Sequence, residues 1–330
     1  MNKPLLTIAI PTWNRGNILD YALSELLPQI SKYKNNVEVV VSDNGSVDNT
    51  MEVITNHIKK NQTLNIVHNT QPENTGFYGN FHKCRTLSKG SYFWLLSDND
   101  FVANGLVDYI MKILLEKDPS FIFLRDWKHA SKVNKKSQFT YKEYSALKGI
   151  ETFNYKTTLI SAVIFENNKS NDIELFNNFK GNTFLGFAFF LQSLISKKNA
   201  IQIEGVSLFI SKTKVNFNAF KSFAVDLIKC FNYAESKNIL PQKTIDIFLN
   251  NVIYGLTVKH YIAFRITGRL HNKKYGKDFV DSLLKEGFSN YSYYGKYLEP
   301  LQVSSKFKFY KIILKKHSMR LFKERLLRYL

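Results

Sequence analysis

Short, β-rich apolar runs alternate with helix-like segments through the first 125 residues. Leu5–Ile10 (LLTIAI), Val37–Ser42 (VEVVVS) and Ser91–Ser97 (SYFWLLS) are typical of strands that are buried on both faces. Between the first two runs, the apolar residues from Ile18 to Leu27 recur at helical spacing. This alternation predicts βαβ units and an α/β fold with a mainly parallel sheet flanked by helices.

The pattern becomes less regular after about residue 126. Further strands are predicted at Leu64–His68 and Phe121–Leu124, and another at Leu159–Phe165. Phe184–Ile195 predicts an apolar helix, and Ala200–Ser211 predicts one or two strands. Beyond about residue 215 the signals are helical. We therefore predict one domain over residues 1–212 and a mainly helical C-terminal region over residues 213–330.

Polar residues follow the predicted strands at the points where the strands end. They are Thr12, Asn14 and Arg15 after the first strand, Asp43 after the second, and Asp98, Asn99 and Asp100 after the fourth. The third strand is followed by a segment rich in turn residues, NTQPENTGFYGN. Because ligands of parallel α/β sheets bind at the carboxyl ends of the strands, we expect these side chains to converge on one ligand.

The residue types at these strand ends indicate the chemistry of the ligand. Asp98 and Asp100 can turn toward one Mg²⁺ or Mn²⁺ that also binds substrate phosphates and neutralises a leaving diphosphate. Arg15 can donate a forked pair of hydrogen bonds to phosphate oxygens, and Asp43 can accept from a nucleobase or ribose. Taken singly, each residue also has a structural interpretation. Asp100 can cap a helix predicted from about Asn104, and Asp43 can belong to an ordinary Asp-Asn-Gly turn.

Other common motifs are absent from the sequence. It has no GxxxxGK[ST] phosphate loop and no GxGxxG after the first strand. The DND run at 98–100 opens like a calcium-binding loop, but Ala103 stands where that loop needs glycine. The seven histidines form no HExxH or Cys/His cluster. Cys84 and Cys230 are far apart and are expected to be reduced thiols.

The chain is strongly basic, with a formal net charge of +19. Such a balance implies an anionic partner: a nucleic acid, an acidic membrane surface or a phosphorylated substrate. No nucleic-acid-binding motif accompanies the charge, so no nucleic-acid partner is expected. The sequence has neither a signal peptide nor an apolar stretch long enough to span a membrane. The expected location is therefore the cytoplasm, with peripheral attachment to the inner face of the cytoplasmic membrane as an option.

The C-terminal residues 306–330 carry nine Lys or Arg and one Glu, with apolar residues at helical spacing. A basic amphipathic helix of this kind can lie on an anionic leaflet. The alternative is a helix that packs on the protein with its charged face in solvent.

Three ordered segments resemble the family 2 nucleotide-sugar glycosyltransferases. They are LLTIAIPTWNRGNILDYALSELLPQI, VEVVVSDNGSVDNT and ENTGFYGNFHKCRTLSKGSYFWLLSDND. Within that family the chain is similar to the abequosyltransferase-like branch, which works on bacterial O-antigens and capsules. The resemblance covers residues 4–115 firmly and continues weakly to about 210. It implies a GT-A fold and inverting transfer from a nucleoside diphosphate sugar, most often a UDP-sugar, to a glycan acceptor that can be lipid-linked.

The resemblance also implies roles for individual residues. Those mapped onto nucleotide-sugar contacts are Pro11, Thr12, Asn14, Arg15, Asp43, Asn74, Gly76, Asn80, Asp98 and Asn99. Asp98 and Asp100 map onto the metal motif and are the expected catalytic pair, with Asp100 as the direct ligand of Mn²⁺ or Mg²⁺.

One departure from the family pattern concerns the general base. Many members carry a Glu-Asp pair late in the domain, whereas the corresponding stretch here, NTFLGFAFFLQSLI, contains no acid. A His that this branch often carries is replaced by Phe189. An inverting transfer needs a base near the attacking hydroxyl. The nearby acids, and therefore the candidate bases, are Asp126, Glu166, Asp172 and Glu174.

The missing base leaves two other functions open. One is a non-catalytic sugar-nucleotide-binding or scaffold protein of the same fold. The other is a basic module that binds membranes or nucleic acids, for which the net charge of +19 is the main argument.

Overall fold

A computed structural model describes residues 3–130, 133, 137–196, 198–211, 218–270 and 273–304. The chain divides into two compact units, Met1–Thr213 and Lys214–Leu330. The basic segment 306–330, for which an amphipathic helix was predicted, lies outside the described residues. Within the described part of the chain, no helix combines the length and the apolar character needed to cross a bilayer.

The described part of the first unit builds one sheet of nine strands. They are β1 (Leu6–Thr12), β2 (Val37–Asp43), β3 (Asn65–Thr70), β4 (Tyr92–Leu95), β5 (Asp100–Val102), β6 (Phe121–His129), β7 (Thr140–Ser145), β8 (Val163–Glu166) and β9 (Asn199–Ile210). Their order in the sheet is β3-β2-β1-β4-β8-β6-β9-β5, and β7 also pairs with β9.

One half of the sheet is parallel and the other half is mixed. Strands β3, β2, β1 and β4 are parallel, as predicted. Beyond them, β8 runs antiparallel to both β4 and β6, while β6 and β9 are parallel. Ser97, just after β4, donates its backbone N–H to Ser161 Oγ, just before β8. The chain therefore enters β8 at the edge where β4 ends, which makes the two strands antiparallel.

Seven helices of the first unit flank this sheet within the described residues. They are α1 (Gly16–Ile30), α2 (Thr50–Lys60), α3 (Gly76–Leu87), α4 (Leu106–Lys117), α5 (Ala146–Phe153), α6 (Asp172–Asn178) and α7 (Leu185–Ser193). Leu23 of α1 and Ile110 of α4 belong to the core on one sheet face. On the other face, the Phe81 ring of α3 contacts the rings of Phe93 and Phe189. Two covered faces explain why the central strands are apolar throughout.

The second unit is helical over its described residues, in agreement with the prediction for the C-terminal region. Its helices are α8 (Ala219–Lys221), α9 (Leu227–Ser236), α10 (Gln242–Val252), α11 (Val258–Thr267), α12 (Lys277–Phe288) and α13 (Glu299–Gln302), and β10 (Arg269–Leu270) pairs with β11 (Lys273–Lys274). π-Helical turns occupy Ser222–Asp226, Ile253–Thr257 and Tyr294–Leu298. Buried aromatic rings such as Phe231 and Phe248, with centroids 4.8 Å apart, form its core.

Two strands escaped prediction because their pairing is long-range. Asp100 opens the three-residue strand β5 and pairs with Ile210. The helix that follows begins at Leu106, and its N-cap is Gly105 at a φ of 81°. The alternative interpretation of Asp100 as a helix cap is therefore wrong. Strand β7 likewise pairs only with β9 and carries largely exposed side chains, so it lacks the apolar run on which strand prediction depends.

Candidate functional site

The ends of three parallel strands come together around Asp98. In the sheet register, Thr12 at the end of β1 pairs with Asp43 at the end of β2. Asp98 lies in the segment that follows β4, and its Oδ2 accepts from Thr12 Oγ1 at 2.9 Å. Arg15 Nη1 donates to Asp98 Oδ1 at 2.7 Å. The convergence expected for strand-end residues is thus present in the folded chain.

Both oxygens of the Asp98 carboxylate have partners. The residue is only 3% exposed, and burial raises the pKa of its carboxyl group, while Arg15 and Thr12 oppose that shift. Arg15, whose side chain is 42% exposed, is held by this ion pair at the end of β1. Asp98 therefore positions the guanidinium, which keeps the remaining donors of its fork for a ligand.

Asp100 has a different environment. It is 4% exposed, and burial together with the nearby Asp98 charge raises the pKa of its carboxyl group to about 6, although Ser161, His129 and Arg15 lower it. A carboxylate that is costly to ionise in this position gains from a cation placed beside it. Asp100 is thus the better candidate for a direct metal ligand.

His129 was not predicted as a site residue. Both His129 and Asp100 pair with Ile210 in the sheet, one from each side. The sequence holds no local signal for this arrangement, because two long-range strand pairings create it.

Asp43 at the end of β2 is fully buried. Its Oδ1 accepts from the backbone N–H and the hydroxyl of Ser46, at 3.1 and 2.5 Å. Its Oδ2 is also buried and has no hydrogen-bond partner among the described residues. A buried acceptor without a donor costs free energy, so this oxygen suits an N–H group supplied by a ligand.

Asn44, one of the polar residues that the sequence places at the end of the second strand, holds together the loops around Asp43. Its Oδ1 accepts from Gln71 Nε2 at 2.9 Å and from the backbone N–H and hydroxyl of Thr75 at 3.0 and 2.9 Å. Its Nδ2 donates to Asn74 Oδ1 at 2.8 Å. The loop after β3 is therefore fastened to the end of β2 by one amide side chain.

The three predicted residues of that loop and helix support the site from outside. Asn74 Oδ1 also accepts from the Gly76 N–H at 2.8 Å, and Gly76 begins α3 in the left-handed region at a φ of 72°. Asn80 Nδ2 donates to the Thr12 carbonyl at 3.3 Å. These contacts give Asn74, Gly76 and Asn80 structural roles beside the strand ends.

The segment after β1 is joined to the segment after β2. Asn14 has a φ of 50°, its N–H donates to Ser46 Oγ at 2.7 Å, and its Oδ1 accepts from the Val47 N–H at 2.8 Å. Pro11 pairs with Ser42 inside the sheet. Trp13 between them is 47% exposed. A large exposed indole next to these polar strand ends offers a face on which a base can stack.

Asn99 connects the acid pair to the far half of the sheet. Its Nδ2 donates to Ser211 Oγ at 2.9 Å, and its carbonyl accepts from the Ser211 N–H at 3.2 Å. The segment 97–100 is thereby anchored on one side by Ser161 and on the other by Ser211.

The model of the family described as "Glycosyl transferase family 2" matches residues 7–172, half of the chain and all of these strand ends. The chain belongs to glycosyl transferase family 2. An uncharacterized glycosyltransferase MG025 homolog of Mycoplasma pneumoniae is 38% identical over 105 residues, 31% of this chain and 34% of that protein. Abequosyltransferase RfbV of Salmonella typhimurium is 31% identical over 99 residues, 30% of this chain and 29% of that protein.

The chain thus spans about a third of the length of these curated relatives. Among solved structures, S. aureus TarS 1–349 in complex with UDP-GlcNAc is similar, with a TM-score of 0.60 and 14% identity, over 90% of this chain and 85% of that chain. At this identity the likeness shows the fold alone, and it confirms the GT-A fold expected from the sequence.

In this family 2 chain, two of the four candidate bases lie away from the acid pair. Glu166 pairs in the sheet with Tyr92, the first residue of β4. Asp98 follows the other end of β4, which is about 10 Å away along the strand. The Glu166 carboxylate binds Lys198 at 2.6 Å. Glu166 is therefore not placed to deprotonate a hydroxyl beside Asp100, contrary to its candidacy.

Asp172 is likewise removed from the strand ends. It accepts from Arg85 Nε and Nη2 at 3.0 and 3.1 Å. Arg85, in the last turn of α3, also donates to Asn167, whose N–H binds the Ser91 carbonyl before β4. Asp172 thus neutralises a buried guanidinium at the opposite edge of the sheet, and Glu174 lies in the first turn of the same helix α6.

Asp126 lies on the part of β6 that runs toward the site. It accepts from the Gly205 N–H at 3.0 Å at an irregularity between β6 and β9. His129 lies three residues further along β6 and pairs with Ile210, the residue with which Asp100 also pairs. The role of Asp126 as the base stays a prediction.

Helix α7 occupies the position at which the family pattern calls for a base. Phe189 is 2% exposed, and its ring lies 5.2 Å from the Phe81 ring and 4.8 Å from the Phe176 ring, measured between centroids. The Arg85 guanidinium is 5.1 Å from the centroid of Phe189. This part of α7 is therefore aromatic core and offers no proton acceptor.

Asp98 and Asp100 were predicted to bind a divalent cation, and Asp100 is the one available for it, because both Asp98 oxygens accept hydrogen bonds from Thr12 and Arg15. Among the residues that the structure describes, no group of three or more His, Cys, Asp or Glu side chains is arranged to hold a metal ion. Mg²⁺ is usually bound by one or two carboxylates together with substrate phosphates and water. The donor set fits an ion that is shared with a bound diphosphate, with Asp100 as the available carboxylate.

Proposed function

We propose that this chain is an inverting, metal-dependent glycosyltransferase. It transfers a sugar from a nucleoside diphosphate donor, a UDP-sugar, to a glycan acceptor that is lipid-linked and belongs to a bacterial surface polysaccharide. The observation that carries the proposal is the buried Asp43 Oδ2, which has no hydrogen-bond partner among the described residues. Asp43 pairs in the sheet with Thr12, which binds Asp98. The name of the similar abequosyltransferase and the UDP-GlcNAc complex of the similar TarS support the donor class.

Each strand end has its part in donor binding. Asp43 Oδ2 accepts an N–H of the nucleobase, and Trp13 lies against the face of the base. Arg15, held by Asp98, donates to diphosphate oxygens. A cation held by Asp100 would supply positive charge to the departing diphosphate. An acceptor hydroxyl that attacks the anomeric carbon from the side opposite to the diphosphate forms the new glycosidic bond as the bond to the diphosphate breaks, which inverts the configuration.

The acceptor hydroxyl has to lose a proton during the attack. Of the candidate bases whose contacts are described, Asp126 alone lies on a strand segment that runs toward Asp100, about 10 Å before the His129 position. We assign it the role of the base. Asp126→Asn should lower kcat for sugar transfer by at least about 100-fold without changing UDP affinity. An unchanged kcat would mean that Asp126 is not the base.

Titration calorimetry with UDP in the presence of Mn²⁺ tests the donor site. We expect binding by the wild type and a loss of about ten-fold or more in Asp43→Ala, because the ligand N–H then has no acceptor. Asp100→Asn should abolish the Mn²⁺ dependence of the affinity. Glu116→Gln, an exposed acid on α4, is the matched control. If the wild type binds no nucleotide with or without Mn²⁺, the proposal is wrong.

A second candidate function is a sugar-nucleotide-binding protein without transferase activity. It is favoured by α7, which is acid-free and has Phe189 in the core. The two functions differ in turnover. A panel of nucleotide sugars incubated with Mn²⁺ should release free nucleoside diphosphate if the chain is an enzyme, whereas binding without release would support the second function.

A further inference from the structure

A second cavity of about 280 Å³ lies against strands β6, β7 and β9 and helix α5 of the first unit. Its lining combines aromatic rings, cations and amides. The residues that carry the inference are Phe123, Arg125, Tyr144, Phe153, Lys156 and Gln202. Ligand sites in proteins commonly combine apolar walls with a few polar groups in this way.

The floor of the cavity is flat and aromatic. The rings of Phe123 and Phe153 are stacked with centroids 4.6 Å apart and an interplanar angle of 18°. Tyr144 meets Phe153 edge to face at 5.3 Å. Phe123 and Phe153 are buried, so the cavity floor is preformed. Phe123 and Phe153 cover each other, so the partly exposed Tyr144 ring is the aromatic surface that can lie against the C–H face of a sugar.

Two amide side chains of the lining have unused acceptors. Gln202 is only 6% exposed, and the hydrogen bond that its side chain makes with the described residues runs from Nε2 to Glu204 Oε1 at 3.1 Å. Its carbonyl oxygen is left without a donor from that part of the chain. The Oδ1 of Asn154 is buried and also has no partner among the described residues. Sugar hydroxyls are donors that match such oxygens.

The rim of the cavity carries an excess of positive charge. Arg125 and Lys142 both bind Glu204, and Arg125 also lies 3.4 Å from Asp126. Lys156 is exposed, and no carboxylate of the described residues lies within ion-pair distance of its ammonium group. An ammonium that is not neutralised by the protein, above an aromatic floor, favours a ligand that bears both a sugar ring and a negative charge.

One short segment links the cavity to the acid pair. The 3₁₀ turn Asn154–Thr158 lines the cavity, and the turn Ile160–Ala162 follows it. Ser161 of that second turn binds the N–H of Ser97, the residue before Asp98. Five residues separate Lys156 from Ser161, on the order of 10 Å in 3₁₀ geometry. An extended glycan that reacts beside Asp100 can therefore reach the cavity.

We infer that this cavity is an acceptor subsite that binds a negatively charged sugar unit, a uronate or a sugar phosphate, away from the reacting hydroxyl. Tyr144, the partly exposed ring of the lining, packs against its ring, Gln202 accepts from a hydroxyl, and Lys156 pairs with its anion. The inference rests on the proposed transferase function and defines the class of its acceptor.

Glycan binding by the full chain tests the subsite without knowledge of the natural acceptor. The probes are two matched pairs: tetragalacturonate with its methyl ester, and pentamannose phosphate with mannopentaose. Saturation-transfer NMR with UDP and the diamagnetic Mg²⁺ present should show a preference for the charged member of at least one pair, and the pair that responds distinguishes carboxylate from phosphate. Lys156→Gln should weaken binding of the charged member by about two- to five-fold.

Lys148→Gln is the control, because Lys148 is an exposed lysine of α5 that pairs with Glu151 and does not line the cavity. UDP affinity is measured in parallel for all variants and should not change. Equal binding of charged and neutral glycans, or equal losses in the Lys156 and Lys148 variants, would overturn the subsite while leaving the donor site intact. Loss of UDP binding in the wild type would instead reject the proposed function itself.

Discussion

Asp98 and Asp100 stand one residue apart, yet their carboxylates have different surroundings. Asp98 accepts from Thr12 and Arg15, so its charge is compensated inside the protein. Asp100 is equally buried, and its pKa is raised to about 6. A residue pair that looks symmetric in the sequence is thus divided into a carboxylate that positions Arg15 and a carboxylate that is available to a cation.

Asp100→Asn should stabilise the fold at pH 7 by about 1–3 kcal/mol, even as it removes metal binding. Because the folded-state pKa of Asp100 lies near 6 and the ordinary value is 3.8, the unfolded chain loses this proton first. Ionised Asp100 therefore lowers the free energy of unfolding as the pH rises from about 4 to 6. Urea unfolding from pH 3.5 to 7.5 measures the effect.

The gain from Asp100→Asn should disappear below about pH 4, where the carboxyl group is protonated in both states. Glu116→Gln on the exposed face of α4 should show no such pH dependence. An Asp100→Asn variant that is less stable than the wild type at pH 7 would contradict the burial argument.

At the scale of elements, the loops of the site are held by side chains from neighbouring strands. Asn44 binds the loop after β3, and Asn14 binds the loop after β2. Neither arrangement follows from periodicity, because the loops that they join are about 30 residues apart in the sequence. The strands themselves were predictable, since a strand buried on both faces leaves a continuous apolar run.

Asn44→Ala should lower the free energy of unfolding by about 2 kcal/mol, because the donors of Gln71 and Thr75 lose the acceptor that the buried Asn44 side chain supplies. UDP affinity should fall as well, since the loop beside Asp43 is released. Chemical denaturation and calorimetry on the same samples separate the two effects. Asn104→Ala, at an exposed position before α4, is the control and should leave both quantities unchanged.

Phe189→His would restore the residue type found in similar family members, but we expect no gain of activity. The imidazole would be buried among Phe81, Phe176 and the Arg85 cation, where it stays neutral and lacks a partner. The free energy of unfolding should fall by about 2–3 kcal/mol. Phe189→Leu provides the packing control. Increased transferase activity in the Phe189→His variant would show that this part of α7 reaches the acceptor.

At the scale of the whole molecule, the net charge of +19 is not concentrated at the strand ends, where, among the described residues, Asp43, Asp98 and Asp100 outnumber the one cation, Arg15. The densest positive segment is 306–330, outside the described residues. The anionic partner predicted from composition therefore needs a test that is separate from the test of nucleotide binding.

The full chain should sediment with vesicles of phosphatidylcholine and phosphatidylglycerol, but not with vesicles of phosphatidylcholine alone. Binding should fall steeply between about 50 mM and 500 mM salt, because the attraction is between exposed charges. Replacing Lys315 and Lys316 by Gln should weaken it, and the same double change at Lys59 and Lys60 of α2 is the control. Equal binding to both vesicle types would reject membrane attachment through charge.

The amino-acid sequence was enough to predict the alternation of strands and helices, the family, and the polar residues at the ends of β1, β2 and β4. It was enough because parallel strands place their carboxyl ends at one edge, which turns a local pattern into a shared site. Which of these residues bind each other depends on the tertiary structure. Long-range pairing places Asp100 in a strand, and both Asp100 and His129 pair with Ile210. It also places Glu166 beside Tyr92, at the opposite edge of the sheet. Burial, which depends on the whole fold, leaves Asp43 Oδ2 without a partner among the described residues.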